Sequence, residues 1–120
     1  MKRNMDLVRE IMLKLEERPD YDLGPVEIEI AGYSHNQLSY HVMLLHEAGL
    51  IEAMDLSSFA GPAWRPKRLT WAGHEFIEVS RDNSRWEEAK AILKQKSGGI
   101  VFDVLKALLV QLVKEAVFGA

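Results

Sequence analysis

No cysteine occurs in the 120 residues, which excludes disulfides and thiolate zinc sites and allows a reducing compartment. Lysine and arginine are absent between Pro19 and Trp64, and that gap shapes everything read from the rest. It holds seven of the eighteen acids: Asp20, Asp22, Glu27, Glu29, Glu47, Glu52 and Asp55. The remaining chain carries all fifteen bases against eleven acids, so the net charge of −3 divides into −7 and +4. A bilayer-spanning run is also missing. The most apolar stretch, 100–118, is interrupted by Asp103, Lys106, Lys114 and Glu115. The opening M-K-R-N-M-D-L-V-R-E lacks the apolar centre of a signal peptide, so we expect a cytoplasmic protein with no membrane contact. Neither an internal repeat nor a low-complexity segment occurs.

What is present reads as one domain's length of chain, enough to bury a core without staples. Its organising stretch is 32–53, G-Y-S-H-N-Q-L-S-Y-H-V-M-L-L-H-E-A-G-L-I-E-A. Ser34 and Gln37 stand at capping-box spacing, a hydroxyl for the third amide and a carboxamide reaching back. Leu38, Val42 and Leu45 recur at helical spacing, predicting a helix over 34–48 with one buried face. Gly49 supplies the left-handed residue that ends it.

Before it, 1–18 predicts a helix with the stripe Met5, Val8, Ile11, Met12 and Leu15, capped by Asn4 or Asp6 and stopped by Pro19. D-Y-D-L-G-P is turn-rich. V-E-I-E-I (26–30) alternates with period two, which predicts a half-buried strand. After the organising helix, 50–56 and 68–71 predict strands flanking the loop S-S-F-A-G-P-A-W-R-P-K. Thr70 then caps a helix over 72–81 that buries Phe76, Ile77 and Val79 or Ser80. A further helix, 83–96, opens with Ser84 and Glu87 at capping-box spacing and is anchored by Trp86, Ala89, Ile92 and Leu93. Ser97-Gly98-Gly99 breaks the chain before a last helix over 100–118.

The capped helix, its A-G-L-I exit and the following strand resemble the recognition helix of a winged helix-turn-helix protein. S-Y-H-V-M-L-L-H-E-A-G-L-I is similar to the metalloregulator and multidrug-regulator type, and R-L-T-W-A-G-H-E-F-I resembles the wing exit and next helix of such regulators. The supporting helix is the departure: V-E-I-E-I-A-G-Y stands in its place. Either that helix is lost or these residues are helical despite their pattern, and the period of two favours the strand. The implied architecture is mainly α with a small antiparallel sheet: a winged-helix-like core over 1–82, then two C-terminal helices over 83–120 that pack on the core or on a second subunit.

The chain as a whole is similar to a bacterial and prophage "domain of unknown function" family. The matching motifs are M-K-R-x-M-D-L-V-R (Met1 to Arg9), G-Y-S (Gly32 to Ser34), S-Y-H (Ser39 to His41), E-A-G-L-I-E-A (Glu47 to Ala53) and R-L-T-W-x-G-H-E-F (Arg68 to Phe76). The resemblance implies a phage or mobile-element origin and carries no catalytic residue to transfer.

The side chains point away from catalysis. His35, His41 and His46 share a helix at spacings of six and five, whereas helical metal pairs need three or four, so no metal or cofactor is expected. Ser39 and His41, two apart on a helix, face apart. Gly98-Gly99 breaks a helix and cradles no phosphate. Glu27 and Glu29 read as a solvated strand face. With no enzyme in view, two binding functions remain. One is an interaction module for a protein partner, using the acidic surface and apolar anchors such as Tyr33, Tyr40, Met43, Phe59 and Trp64. The alternative is a DNA-binding regulator. It would read bases with His35, Asn36, Gln37, Ser39 and Tyr40 and hold phosphates with Arg65, Lys67 and Arg68, at best weakly on double-stranded DNA, since the reading helix has no base. The last helix carries more apolar surface than one domain face normally takes. Val101, Leu105, Leu108 and Leu112 are therefore expected to pair two subunits as a homodimer.

Overall fold

Ser34 accepts a hydrogen bond from the Gln37 amide at 3.2 Å, and the Gln37 side chain accepts one from the Ser34 amide at 2.8 Å. The capping box read from the sequence is thus closed on both sides, and the helix it starts, His35–Glu47, buries Leu38, Val42 and Leu45. Gly49 follows at φ 74°, as a left-handed exit requires. The computed structural model describes residues 1–19 and 24–119. In chain order it comprises α1 (Met5–Glu16), α2 (His35–Glu47), β1 (Ile51–Asp55), β2 (Trp64–Leu69), α3 (Trp71–Ser80), α4 (Asn83–Ser97) and α5 (Phe102–Phe118). The protein is mainly helical with one small antiparallel sheet of two strands. It forms two compact units, 1–74 and 75–120, with the division inside α3.

In the first unit α1, α2 and both strands pack on one another. All five expected stripe residues of α1 are buried, and Asn4 caps it by accepting from the Asp6 amide at 2.9 Å. The helix is shorter at both ends than the 1–18 expectation, starting only after this cap. β1 and β2 pair in register at Ile51 with Leu69 and at Glu52 with Arg68, with an irregularity between Glu52 and Ala53 that leaves Lys67 unmatched. The Lys67 carbonyl instead accepts from Arg18 at 2.5 Å, and the same guanidinium nitrogen donates to the Gly24 carbonyl at 2.9 Å. One side chain therefore satisfies the bulge and anchors the end of the α1 connection.

Two strand expectations are corrected. The return strand begins at Trp64 and ends at Leu69, so W-R-P-K is strand rather than loop and Trp71 already starts α3. The segment 26–30 forms neither a ladder nor a helix. Its one backbone bond to the sheet runs from the Val26 amide to the Pro66 carbonyl, 3.0 Å. Pro66 has no N–H to return, so pairing stops where it starts. The alternation survives without the ladder, with Val26, Ile28 and Ile30 half-buried and Glu27 and Glu29 exposed. Most of the D-Y-D-L-G-P turn lies outside the described residues.

Thr70 joins sheet to helix. Its hydroxyl donates to the Gly49 carbonyl at 2.6 Å and accepts from the Gly73 amide at 3.2 Å, while its own amide donates to the Leu50 carbonyl at 3.0 Å. α3 lies so close that a Cβ on Gly73 would overlap the Leu50 carbonyl oxygen. That contact is the physical reason for the glycine in R-L-T-W-A-G.

The second unit is built around aromatic rings. Phe76 meets Trp86 edge-on at 6.2 Å and Phe102 at 4.9 Å. α4 packs along α5, with Trp86, Ala89 and Leu93 buried as expected, the fourth expected anchor Ile92 only half-buried, and Lys90 buried over the Trp86 ring at 5.6 Å. Its cap is Asp82, accepting from the Arg85 amide at 2.9 Å, and not Ser84 with Glu87. Beginning at Asn83 puts Ser84 inside the first turn, where it cannot cap. No helix among the described residues is long and apolar enough to cross a membrane.

Gly73→Ala should destabilise the protein by about 1–3 kcal/mol through overpacking against backbone that cannot yield. Gly99→Ala meets nothing within 4 Å and should stay within about 0.5 kcal/mol of the parent. Urea unfolding of the two variants measures the difference.

Candidate functional site

The N-terminal half of α2, the first half of β2 and segment 27–33 enclose a half-open cavity of about 530 Å³. Its floor is Ile28, Ile30, Leu38, Val42 and Trp64, and its rim carries Glu27, Glu29, Tyr33, His35 and Arg65. Gly32, at φ 91°, turns the chain from this segment into α2, with the Tyr33 amide donating to the Ile30 carbonyl at 3.2 Å.

The side chains expected to read DNA bases have separate fates. Asn36 is exposed. His35 is exposed but donates from Nε2 to the Pro62 carbonyl, 2.7 Å, which ties α2 to the hairpin loop just after its tip. Gln37 is committed to the capping box. Ser39 is buried, its hydroxyl accepting from the Trp64 amide at 2.9 Å, so it holds β2 to α2. Tyr40 and Met43 are half-buried, Tyr40 lying edge-on to His41 at 5.7 Å.

The expected phosphate contacts are mostly neutralised by the acidic window. Arg68 forms a two-point pair with Glu52, Nη2 to Oε1 at 2.6 Å and Nε to Oε2 at 3.0 Å. Arg65 pairs with Glu27 at 3.1 Å. Lys67 is half-buried at the bulge. Sequence reasoning saw the acids and the bases but not their pairing, because Glu27 and Arg65 are joined only by tertiary structure.

The hairpin tip is the feature the sequence reading underused. Ser58 and Gly61 exchange backbone bonds at 3.1 and 3.0 Å around Phe59 and Ala60, and the Leu56 amide donates to the Ala63 carbonyl at 2.9 Å. Hydrogen bonds from Ser57 hold the Asp55 carboxyl below the usual carboxylate range and brace the turn. On this closed scaffold Phe59 is fully exposed, with Met54 and Leu56 exposed beside the stem. A loop signal hides this, since only the closed turn shows that an aromatic is held outward.

His41 is 1% exposed. Its Nδ1 donates to the Gln37 carbonyl at 2.7 Å and its Nε2 accepts from the Asn4 amide at 2.8 Å, so the ring is neutral and its tautomer set. His46 lies against Trp64, ring centres 5.4 Å apart. The three histidines of α2 thus have three different partners, and among the described residues no group of three or more acids and histidines is placed to hold a metal. Of the four residues expected to pair subunits, Val101 is exposed, Leu108 and Leu112 are half-buried, and Leu105 is fully covered within the chain.

Burial holds the His41 imidazole below its ordinary value; the Gln37 carbonyl pulls the other way and Arg3 adds to the depression. Below about pH 6.5 the unfolded chain binds a proton that the folded one resists, so stability is lost as pH falls through that range. Urea midpoints should drop from pH 7.5 to 5.5, and His41→Gln should lower the midpoint at pH 7.5 while flattening that drop. Ser39→Ala orphans the Trp64 amide and should cost about 1–3 kcal/mol. Asn36→Ala should change stability by less than about 0.5 kcal/mol, which thermal melts of both variants will separate.

No solved structure matches the chain. A protein of Haemophilus influenzae (strain ATCC 51907 / DSM 11121 / KW20 / Rd) named "Uncharacterized protein" is 39% identical over 106 residues, 88% of this chain and 90% of that one. The family model described as "Hypothetical protein (DUF2513)" matches residues 2–99, well past the motifs of the first 80 residues, and the chain belongs to that DUF2513 family.

Proposed function

We propose that this protein is a non-enzymatic protein-interaction module on a winged-helix-like scaffold, an accessory protein of the phage type that its sequence resemblance implies. The supporting observation is the hairpin. It presents a fully exposed Phe59 on a turn closed by its own hydrogen bonds, while Arg65 and Arg68 are paired with Glu27 and Glu52. An exposed aromatic is the kind of anchor that carries binding energy at interfaces, and a turn whose backbone is already closed has little loop ordering left to undergo on docking. Phosphate would have to displace two carboxylates to recruit those arginines, in a region whose charge repels it.

A DNA-binding role is the competing reading, favoured by the exposed Asn36 at the start of α2. Two measurements separate them. Capture of a host protein by the wild type and not by Phe59→Ser, at unchanged melting temperature, supports the interaction module. Duplex binding at nanomolar affinity near physiological salt, lost on Asn36→Ala, would overturn it. Weak binding that vanishes when Arg65, Lys67 and Arg68 are changed together to Ala, with a small salt slope, is compatible with the module.

A further inference from the structure

The segment 26–30 leaves an edge of main chain unused. Val26 donates its amide to the Pro66 carbonyl, and the next backbone bond along the chain is the Tyr33–Ile30 turn. Between them Glu27, Ile28 and Glu29 have no backbone partner among the described residues. In an extended chain successive residues send N–H and C=O to opposite sides. Since Val26 points at β2, Glu27 and Glu29 point away from it, offering two donors and two acceptors at an open edge. Val26, Ile28 and Ile30 are β-branched residues that favour strands and are half-buried, and Ile28 and Ile30 line the cavity. An open strand edge of this kind is a template for one more strand.

We infer that this edge takes up, by strand addition, an extended segment of a protein partner in which apolar residues alternate with lysine or arginine. Charge and register set that chemistry. Residues of an added strand opposite Glu27 and Glu29 lie on the same solvent face as those carboxylates, where a base is favoured and an acid is repelled. Glu29 is exposed and has no ion pair among the described residues, and Glu27 shares only Arg65. Residues opposite Ile28 and Ile30 lie on the same face as those two half-buried side chains, where apolar cross-strand neighbours are favoured. Main-chain bonds supply affinity and the alternate side chains supply selectivity. The inference rests on the interaction-module reading only in requiring a protein partner; it uses a surface other than Phe59.

The test is selection of a random seven-residue peptide library on the whole protein, followed by amide chemical-shift mapping of the enriched peptides. Enriched sequences should alternate apolar residues with lysine or arginine, and the shifts should centre on Glu27 to Ile30. Glu27→Lys with Glu29→Lys should weaken binding about tenfold or more, as reversal of two exposed cross-strand pairs implies. Glu29→Pro removes an outward donor while remaining compatible with an extended chain, and should abolish binding at an unchanged melting temperature. Enrichment of peptides without the alternation, shifts centred elsewhere, or no enrichment would overturn the inference. If Phe59→Ser still abolishes partner capture in that case, the interaction module stands and only the added strand fails.

Discussion

One buried neutral imidazole ties the first unit together. His41 takes the amide of Asn4 at one nitrogen and gives its other proton to the carbonyl of Gln37. Asn4 is at the same time the cap of α1, so the place where α1 begins is referred directly to the middle of α2. A buried imidazole must satisfy both nitrogens, and here each has a main-chain partner. About three turns of helix carry the remaining ties: Ser39 to the amide of Trp64, His35 to Pro62, and the Leu38, Val42 and Leu45 face to the core. α2 is thereby tied through its side chains to the start of α1, to β2 and to the loop before β2.

The same economy of polar groups explains why the surface around α2 is acidic without being a charge defect. Glu52 and Glu27 answer Arg68 and Arg65 across the hairpin, and Arg18 answers two carbonyls left open by a bulge and a connection. Pro66 prevents a third strand from closing on β2. A cavity remains on one side of segment 26–30 and an unpaired main chain on the other. Among the described acids of the acidic window, Glu29, Glu47 and Asp55 have no ion pair, and of these Glu29 is the one on the segment with the unpaired main chain.

Much of this was legible along the chain, and the reasons are local. Ser34 with Gln37, the stripe of α1, the buried Phe76 and Ile77, and the Trp86, Ala89 and Leu93 anchors all follow from helical spacing, and each is in place. The misreadings have separate causes. W-R-P-K looked like loop because proline and lysine discourage strands, yet β2 is an edge strand whose proline sits where no donor is needed from it. V-E-I-E-I looked like a ladder strand because period two reports which side is wet, and says nothing about whether a partner strand exists to bond it. Ser84 and Glu87 matched a capping box, but Asp82, two residues earlier, began the helix first.

The sequence by itself determined the helices, the half-buried alternation of 26–30, the absence of a base from α2 and the likeness to the DUF2513 family, since these depend on neighbours a few residues apart. Tertiary structure alone decided the pairing of Arg65 with Glu27, the burial of Ser39 and His41 in structural bonds, the outward Phe59 and the open edge beside Pro66. Each of those depends on groups that are distant in the chain or on hydrogen bonds that must be counted in space. Periodicity can say that a residue is buried. It cannot say which donor or acceptor will be waiting there.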